Sequence, residues 1–270
     1  APGLPAKSDG QLLFMLNGLA KLKDDGQMAI IQNGSSLFNG DASSGPSEIR
    51  RYLIENDWLD AIVQLPNNAF YNTGIATYIW IVMKDTPAAH QGKVQLIDAS
   101  ACCSARRKNI GSKNVDITKA CRDLIVKVYG AYVDGRYNDV DENGSAILVK
   151  SKVMDAVDLG YNKIVVETPQ LDKDGHVVTK NGKPVADSAK RDTENVPLAE
   201  DIDVYFKREV LPYNPQAWID KAKTKVGYEI PFTRTFYEYK QIEPSEKIAA
   251  RIEEHEKSLM AKLRDLFGGE

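Results

Sequence analysis

The stretch LPNNAFYNTGIATYIWIVMK, Leu65 to Lys84, decides the reading of the fold. Its second half, Ala76 to Met83, reads as a buried β-strand. Its first half is a polar, Asn-rich loop that carries two adjacent aromatics, Phe70 and Tyr71. Aromatic rings are first of all burial residues. A pair of them in a polar loop at the mouth of a sheet therefore needs a reason.

Upstream, Ser8 to Leu22 reads as a helix. Leu12, Leu13, Leu16, Leu19 and Ala20 recur at helical spacing, and Ser8 or Asp9 can cap the free amides. Met28 to Gln32 is a short apolar run, expected as a buried strand. Gly45-Pro46-Ser47 opens a second helix with Ile49, Tyr52, Leu53 and Ile54 on one face. Leu59 to Leu65 and Val94 to Asp98 complete a set of four strands. Alternation of helices with apolar strands marks an α/β sheet. The third and fourth strands follow one another without a helix, so at least one pairing is expected to be antiparallel. The strand Ala76 to Met83 is the expected reversed one.

Beyond Ala99 the character changes. Arg106, Arg107, Lys108 and Lys113 make a basic segment read as a Gly-containing loop. Ile117 to Tyr129 reads as a helix with Cys121, Leu124, Ile125 and Val128 inward. Ile164 to Glu167 reads as a strand. Asn181-Gly182 signals a hairpin. Pro197 to Leu211 reads as an amphipathic helix with Ile202, Phe206 and Val210 on one face. Pro215 is expected to open a short helix capped by Asn214. Thr224 to Lys240 mixes aromatic and basic residues. Such a segment can stack bases, but packing on the domain is the preferred reading.

The last segment, Glu243 to Phe267, reads as a long helix. Ile248, Ile252, His255, Leu259, Leu263 and Leu266 follow one another at spacings of four, three, four, four and three. That is a narrow, heptad-like seam, which suits a partner helix, although a helix packed on its own domain stays open.

The bulk numbers narrow the classes. A chain of 270 residues, 43% hydrophobic and 27% charged, is an ordinary globular balance. Its net charge of −3 carries no global nucleic-acid signature, although a local basic patch can serve. The three cysteines, Cys102, Cys103 and Cys121, form no disulfide framework, and the three histidines are scattered, so no metal site is expected. No apolar run is long enough to span a bilayer and no signal peptide opens the chain, so the default compartment is the cytoplasm. No glycine-rich dinucleotide fingerprint, P-loop or nucleophile elbow occurs. Spacing alone thus yields an incomplete α/β domain with a helical tail, and no reaction.

One family resemblance goes further. Asp9 to Gly40 (DGQLLFMLNGLAKLKDDGQMAIIQNGSSLFNG) and Ser47 to Lys84 (ending LPNNAFYNTGIATYIWIVMK) resemble the modification (M) subunit of type I restriction-modification systems. Those subunits are adenine-specific N6 DNA methyltransferases that use S-adenosylmethionine. Val196 to Pro212 and Lys225 to Tyr239 look like the same family's C-terminal region. The likeness departs at Cys102-Cys103.

The resemblance implies a fold: the distal part of a doubly wound, Rossmann-like methyltransferase sheet, then an α+β C-terminal region ending in a long helix. The corresponding divisions are 1–100, 101–240 and 241–270. The family's donor-binding glycine motif and its catalytic Pro-Pro motif lie upstream of the Leu12 helix. No Pro-Pro occurs in this chain, so no catalytic residue and no bound S-adenosylmethionine are expected within it. Phe70, with Tyr71 beside it, stands where related methyltransferases place a ring that stacks on the extruded adenine. The alternative is that Phe70 only plugs the core. Asn33 is a further pocket-lining candidate, because α/β sheets bind ligands at strand carboxyl ends. The implied partners are DNA, a specificity subunit and a restriction subunit, with Ile248, Ile252, Leu259 and Leu263 as the docking stripe. If assembly is this chain's main work, it is a non-catalytic module that docks the specificity subunit through that helix.

Overall fold

A computed structural model describes residues 2–5, 7, 9–239 and 243–267. Helix α1 (Gln11–Lys21) buries Leu12, Met15 and Leu19 and leaves Leu13 and Phe14 exposed. Ser8 lies outside the described residues, and Asp9 takes the Gln11 amide at 3.2 Å. Strand β1 (Gln27–Asn33) is followed by the short α2 (Ser35–Phe38) and by α3 (Gly45–Glu55), which begins at the expected Gly-Pro-Ser. Strands β2 (Leu59–Gln64), β3 (Thr77–Met83) and β4 (Lys93–Asp98) fall within a residue of their expected bounds.

Next come β5 (Ser104–Ile110) and β6 (Lys113–Asp116), then α4 (Lys119–Ala131), β7 (Gly135–Val140) and β8 (Ala146–Asp155). The central sheet has six strands in the order β1-β3-β2-β4-β8-β7. β3 is inserted between β1 and β2 and runs antiparallel to both, while β2 and β4 are parallel. The reversed strand is thus where the sequence places it. Helices α1 and α3 cover one face, over Ile62, Trp80, Val82 and Leu96. Helix α4 covers the other with Cys121, Leu124 and Val128, over Val63, Ile97, Ile147 and Val149.

Two expectations fail in this half. Met28 to Gln32 is not a buried strand. β1 is the sheet's edge, with Gln27, Ala29 and Ile31 exposed, because it pairs on one side only among the described residues. The basic segment is not a loop either. Its residues form the antiparallel hairpin β5–β6, closed by Gly111-Ser112, with Gly111 at φ +58° in a turn that favours glycine.

Strand β9 (Gly160–Glu167) organises a second sheet. The small hairpin β10 (Thr179–Lys180) and β11 (Lys183–Pro184) turns at Asn181 and Gly182, both at positive φ, as the Asn-Gly signal predicts. Strand β12 (Asp192–Pro197) pairs with β9 and is followed by α5 (Ile202–Tyr205), β13 (Trp218–Ile219) and β14 (Lys225–Tyr228). The helix expected from Pro197 therefore starts late. Pro197 closes β12, and Asp201 is the cap, accepting the Val204 amide at 2.9 Å. The helix then widens into a π-turn over Phe206–Val210, which still seats Phe206 and Val210 in a core with Ile164, Val166 and Val196. No helix forms at Pro215. Asn214 donates to the Thr168 hydroxyl at 2.7 Å instead of capping, and the segment closes in turns.

The aromatic-basic stretch packs, as the plainer reading has it, through Tyr228 on β14 and Phe232 on α6 (Phe232–Thr235), both buried against the α1–α3 face. Lys240 lies outside the described residues. Arg50 fastens this return of the chain. It is fully buried on α3 and donates from Nε to the Tyr228 carbonyl at 2.6 Å, from Nη1 to Ser36 at 3.1 Å and from Nη2 to Asn39 at 2.9 Å. Residues up to Phe236 form one compact unit; those from Tyr237 form another, built on helix α7 (Ser245–Phe267). No helix among the described residues is long and apolar enough to cross a membrane.

Candidate functional site

Strands β1, β2 and β4 point the same way, so Asn33, Leu65 and Ala99 emerge at one end of the sheet. Asn33 pairs with Thr77, the Leu65 amide donates to the Thr77 carbonyl at 2.8 Å, and the Ala99 amide donates to the Gln64 carbonyl at 3.0 Å. The loop that rises from this row is residues 65–76, the stretch that carries the two aromatics.

Phe70 is half-buried. It packs against the core on the α4 side of the sheet, the cluster that includes Val63, Leu65 and Ile97. Tyr71 is 57% exposed. The β5–β6 hairpin grips this loop. The Ser112 amide donates to the Tyr71 carbonyl at 2.9 Å, and the Asn114 amide donates to the Asn68 carbonyl at 3.2 Å. The Lys113 ammonium sits 5.4 Å above the Tyr71 ring, within range of a cation–π attraction. The loop's aromatic side and the basic hairpin are therefore one surface. The sequence reading named both pieces but not their contact. Two polar segments on opposite sides of β4 leave no periodic signal of meeting.

Asn33 stands in the strand-end row, but its carboxamide oxygen is committed. Its Oδ1 accepts from Gln11 Nε2 at 3.0 Å, from the Ser35 amide at 2.9 Å and from the Ser35 hydroxyl at 2.5 Å. Beside the row, burial and the nearby Asp98 carboxylate push the Tyr78 phenol above its ordinary range.

Two other clusters gather titratable side chains. At the amino end of β2, buried Asp60 accepts from the Tyr129 hydroxyl at 2.6 Å and lies 2.8 Å from His90 Nδ1. The His90 ring stacks on Tyr132 at 3.5 Å. This ties the end of α4 to the sheet. Asp172, Asp174 and His176 bring ligand atoms within 4.8 Å of one another on an exposed turn. Asp172 Oδ1, however, accepts the Asp174 and His176 amides at 2.9 Å each, which is how a turn is closed.

On α7 the stripe is bare: Ile248 is 36% exposed, Ile252 61%, Leu259 58% and Leu263 39%.

The model of the N-6 DNA Methylase family matches residues 1–166. The chain is 30% identical over 120 residues to the type I restriction enzyme MpnII methylase subunit of Mycoplasma pneumoniae, covering 44% of this chain and 21% of that protein. It is 28% identical over 109 residues to the MjaIX methylase subunit of Methanocaldococcus jannaschii, covering 40% and 19%. A crystal structure of a type I methyltransferase subunit from Streptococcus thermophilus aligns with 57% of this chain and 28% of its own, at 26% identity and a TM-score of 0.46. The matches to these curated relatives span about a fifth of the relatives' length.

Proposed function

The chain belongs to the N-6 DNA Methylase family, and on that footing we propose that it is the distal part of a type I methylase subunit that methylates adenine N6 in DNA. S-adenosylmethionine would supply the methyl group to the whole subunit, and the adenine amine would give up a proton in exchange. The part that supplies the donor site and the catalytic Pro-Pro motif lies outside these residues in this reading.

What this chain contributes is a wall of the base pocket. A base inside a duplex is out of reach, so it must be extruded and held. The observation that carries the reading is the position of the 65–76 loop. It crowns the carboxyl ends of β1, β2 and β4, where an α/β sheet presents its ligands. Phe70 offers a half-buried ring anchored in the core, and Tyr71 offers an exposed one. Stacking on such a ring is worth about 1–3 kcal/mol per base. Asn33 keeps its Nδ2 group for the pocket rim.

Residues 1–100 supply the distal half of the methyltransferase sheet in this reading, and β7 and β8 extend it. The complex works in the cytoplasm with a specificity subunit that reads the DNA target and a restriction subunit.

A second reading rests on a different observation, the bare stripe of α7. Four large apolar side chains on one helix face suit a helical partner. On that reading the chain's own work is to dock the specificity subunit.

The test is chemical. The full-length subunit, assembled with its partners, is given DNA and S-adenosylmethionine, and the DNA is digested to nucleosides. N6-methyladenine is the expected product; its absence from an assembly that binds DNA sinks the first reading and leaves the second.

A further inference from the structure

We propose that the β5–β6 hairpin is a phosphate clamp for the DNA strand beside the extruded base, with Arg107 and Lys108 as its phosphate-binding cations. The inference rests on the reading of the chain as part of a DNA methylase.

Residues 104–116 hold four cations, Arg106, Arg107, Lys108 and Lys113, and one carboxylate, Asp116, in a chain whose net charge is −3. The hairpin divides these charges. Arg106 Nη1 reaches both Asp116 oxygens at 2.5 and 2.6 Å, and Lys113 Nζ lies 3.2 Å from the same carboxylate. The Asp116 carboxyl is held below its ordinary range by the Arg106 hydrogen bond. Asp116 therefore serves as the hairpin's internal counter-ion. Arg107 and Lys108 are exposed, and among the described residues neither makes an ion pair. A concentration of uncompensated cations on an otherwise acidic chain is a local anion-attracting surface.

Three features point to nucleic-acid backbone rather than a free anion. Arg107 and Lys108 are neighbours in the stretch of β5 where the register with β6 shifts, between Ala105 and Ile110, and two adjacent cations suit the closely spaced charges of a phosphate backbone. The hairpin is hydrogen-bonded to the aromatic loop through Tyr71 and Asn68, so the cations and the rings keep a fixed separation. The loop and the hairpin also carry exposed Tyr71, Ile75 and Ile110, which suit sugar and base faces. Contacts to phosphate fix register without reading sequence, the task left to a subunit that does not itself choose the target.

The experiment uses the full-length subunit in its assembly, a fluorescein-labelled duplex of arbitrary sequence, and anisotropy between about 50 and 200 mM salt. Arg107→Gln with Lys108→Gln is expected to lower the slope of log affinity against log salt by about 2, since each phosphate contact contributes roughly 0.9. Lys180→Gln with Lys183→Gln removes the same charge from the β10–β11 hairpin and is expected to leave the slope unchanged. An unchanged slope in the first pair, or an equal fall in both, overturns the clamp. Methyl transfer is read separately by nucleoside analysis. If the slope does not move while wild type makes N6-methyladenine, the clamp fails and the methylase reading stands. If the slope falls but no N6-methyladenine forms, the methylase reading fails and the clamp stands as a DNA contact.

Discussion

Gly111 stands so close to Tyr71 that a Cβ placed on it would lie 2.5 Å from the Tyr71 carbonyl oxygen. The same turn gives the Ser112 amide to that oxygen at 2.9 Å. A side chain at Gly111 would also have to accept φ +58°. Gly111→Ala is therefore expected to lift the hairpin off the aromatic loop. The cost combines a left-handed Ala, about 1–2 kcal/mol, with the lost contact. Amide exchange at Ser112 should rise by roughly tenfold or more, while the core amides of β2 and β4 keep their protection. Unchanged exchange at Ser112 would show that the docking does not hold the loop.

The Arg50 guanidinium is expected to be worth more than its charge. It satisfies the carbonyls of Ser36, Asn39 and Tyr228 with no carboxylate beside it among its hydrogen-bond partners. Arg50→Met keeps much of the volume and strands two buried acceptors, on Tyr228 and Ser36, while exposed Asn39 can turn to water. Each stranded group costs roughly 1–3 kcal/mol, so a total loss of about 2 kcal/mol or more is expected by urea unfolding. A loss under about 1 kcal/mol would mean that water replaces the guanidinium.

Alkaline stability should carry the signature of Tyr228. Burial, with help from its hydrogen bond to Glu55 at 3.0 Å, pushes the phenol up to about 12. The folded state then binds more protons than the unfolded one between the ordinary tyrosine range near 10 and about 12. Its contribution is complete below about pH 10 and is lost as pH rises to about 12. Arg50, lowered to about 10 by burial, acts with the opposite sign, because its unfolded form keeps its proton longer. Subtracting the Tyr228→Phe stability curve from the wild-type curve isolates the tyrosine term. That difference should fall through the window; a flat difference contradicts the assignment.

The terminal helix is expected to act as a separate docking element. Ile252→Glu with Leu259→Glu places charge on the bare stripe. The double variant should lose co-purification with the specificity subunit, while the melting transition of the unit that ends at Phe236 stays in place. Retained co-purification would move the docking surface elsewhere.

Much of this was legible in the sequence wherever a side chain's neighbours are set by its own element. The strand at Thr77–Met83, the Gly-Pro-Ser start of α3 and the Asn181-Gly182 turn belong to that class. The apolar face of α4 belongs to it as well. Strands β7 and β8 went unread, although Ile147, Val149 and Ser151 alternate inward and Asn143-Gly144 turns before them. Their polar outer faces resembled loop composition. The exposure of β1 was not legible, because burial of an apolar run depends on which strands lie beside it. Nor was the site's main contact. The docking of Ser112 on Tyr71 is backbone to backbone, and no pattern of side chains encodes it. Nor did any pattern mark Arg50 as buried, since a buried arginine without an ion pair is rare.

The most direct measurement of the central claim is N6-methyladenine formation by the assembled full-length subunit carrying Phe70→Ala, set beside its melting temperature. Phe70 is half-buried, so truncation carries some packing cost. If the ring stacks on the extruded base, a loss of about 1–3 kcal/mol of stacking lowers turnover per folded molecule by roughly five- to 150-fold, well beyond what the shift in melting predicts. If Phe70 only plugs the core, the melting temperature falls while turnover per folded molecule stays at the wild-type value, and the base-pocket account is wrong.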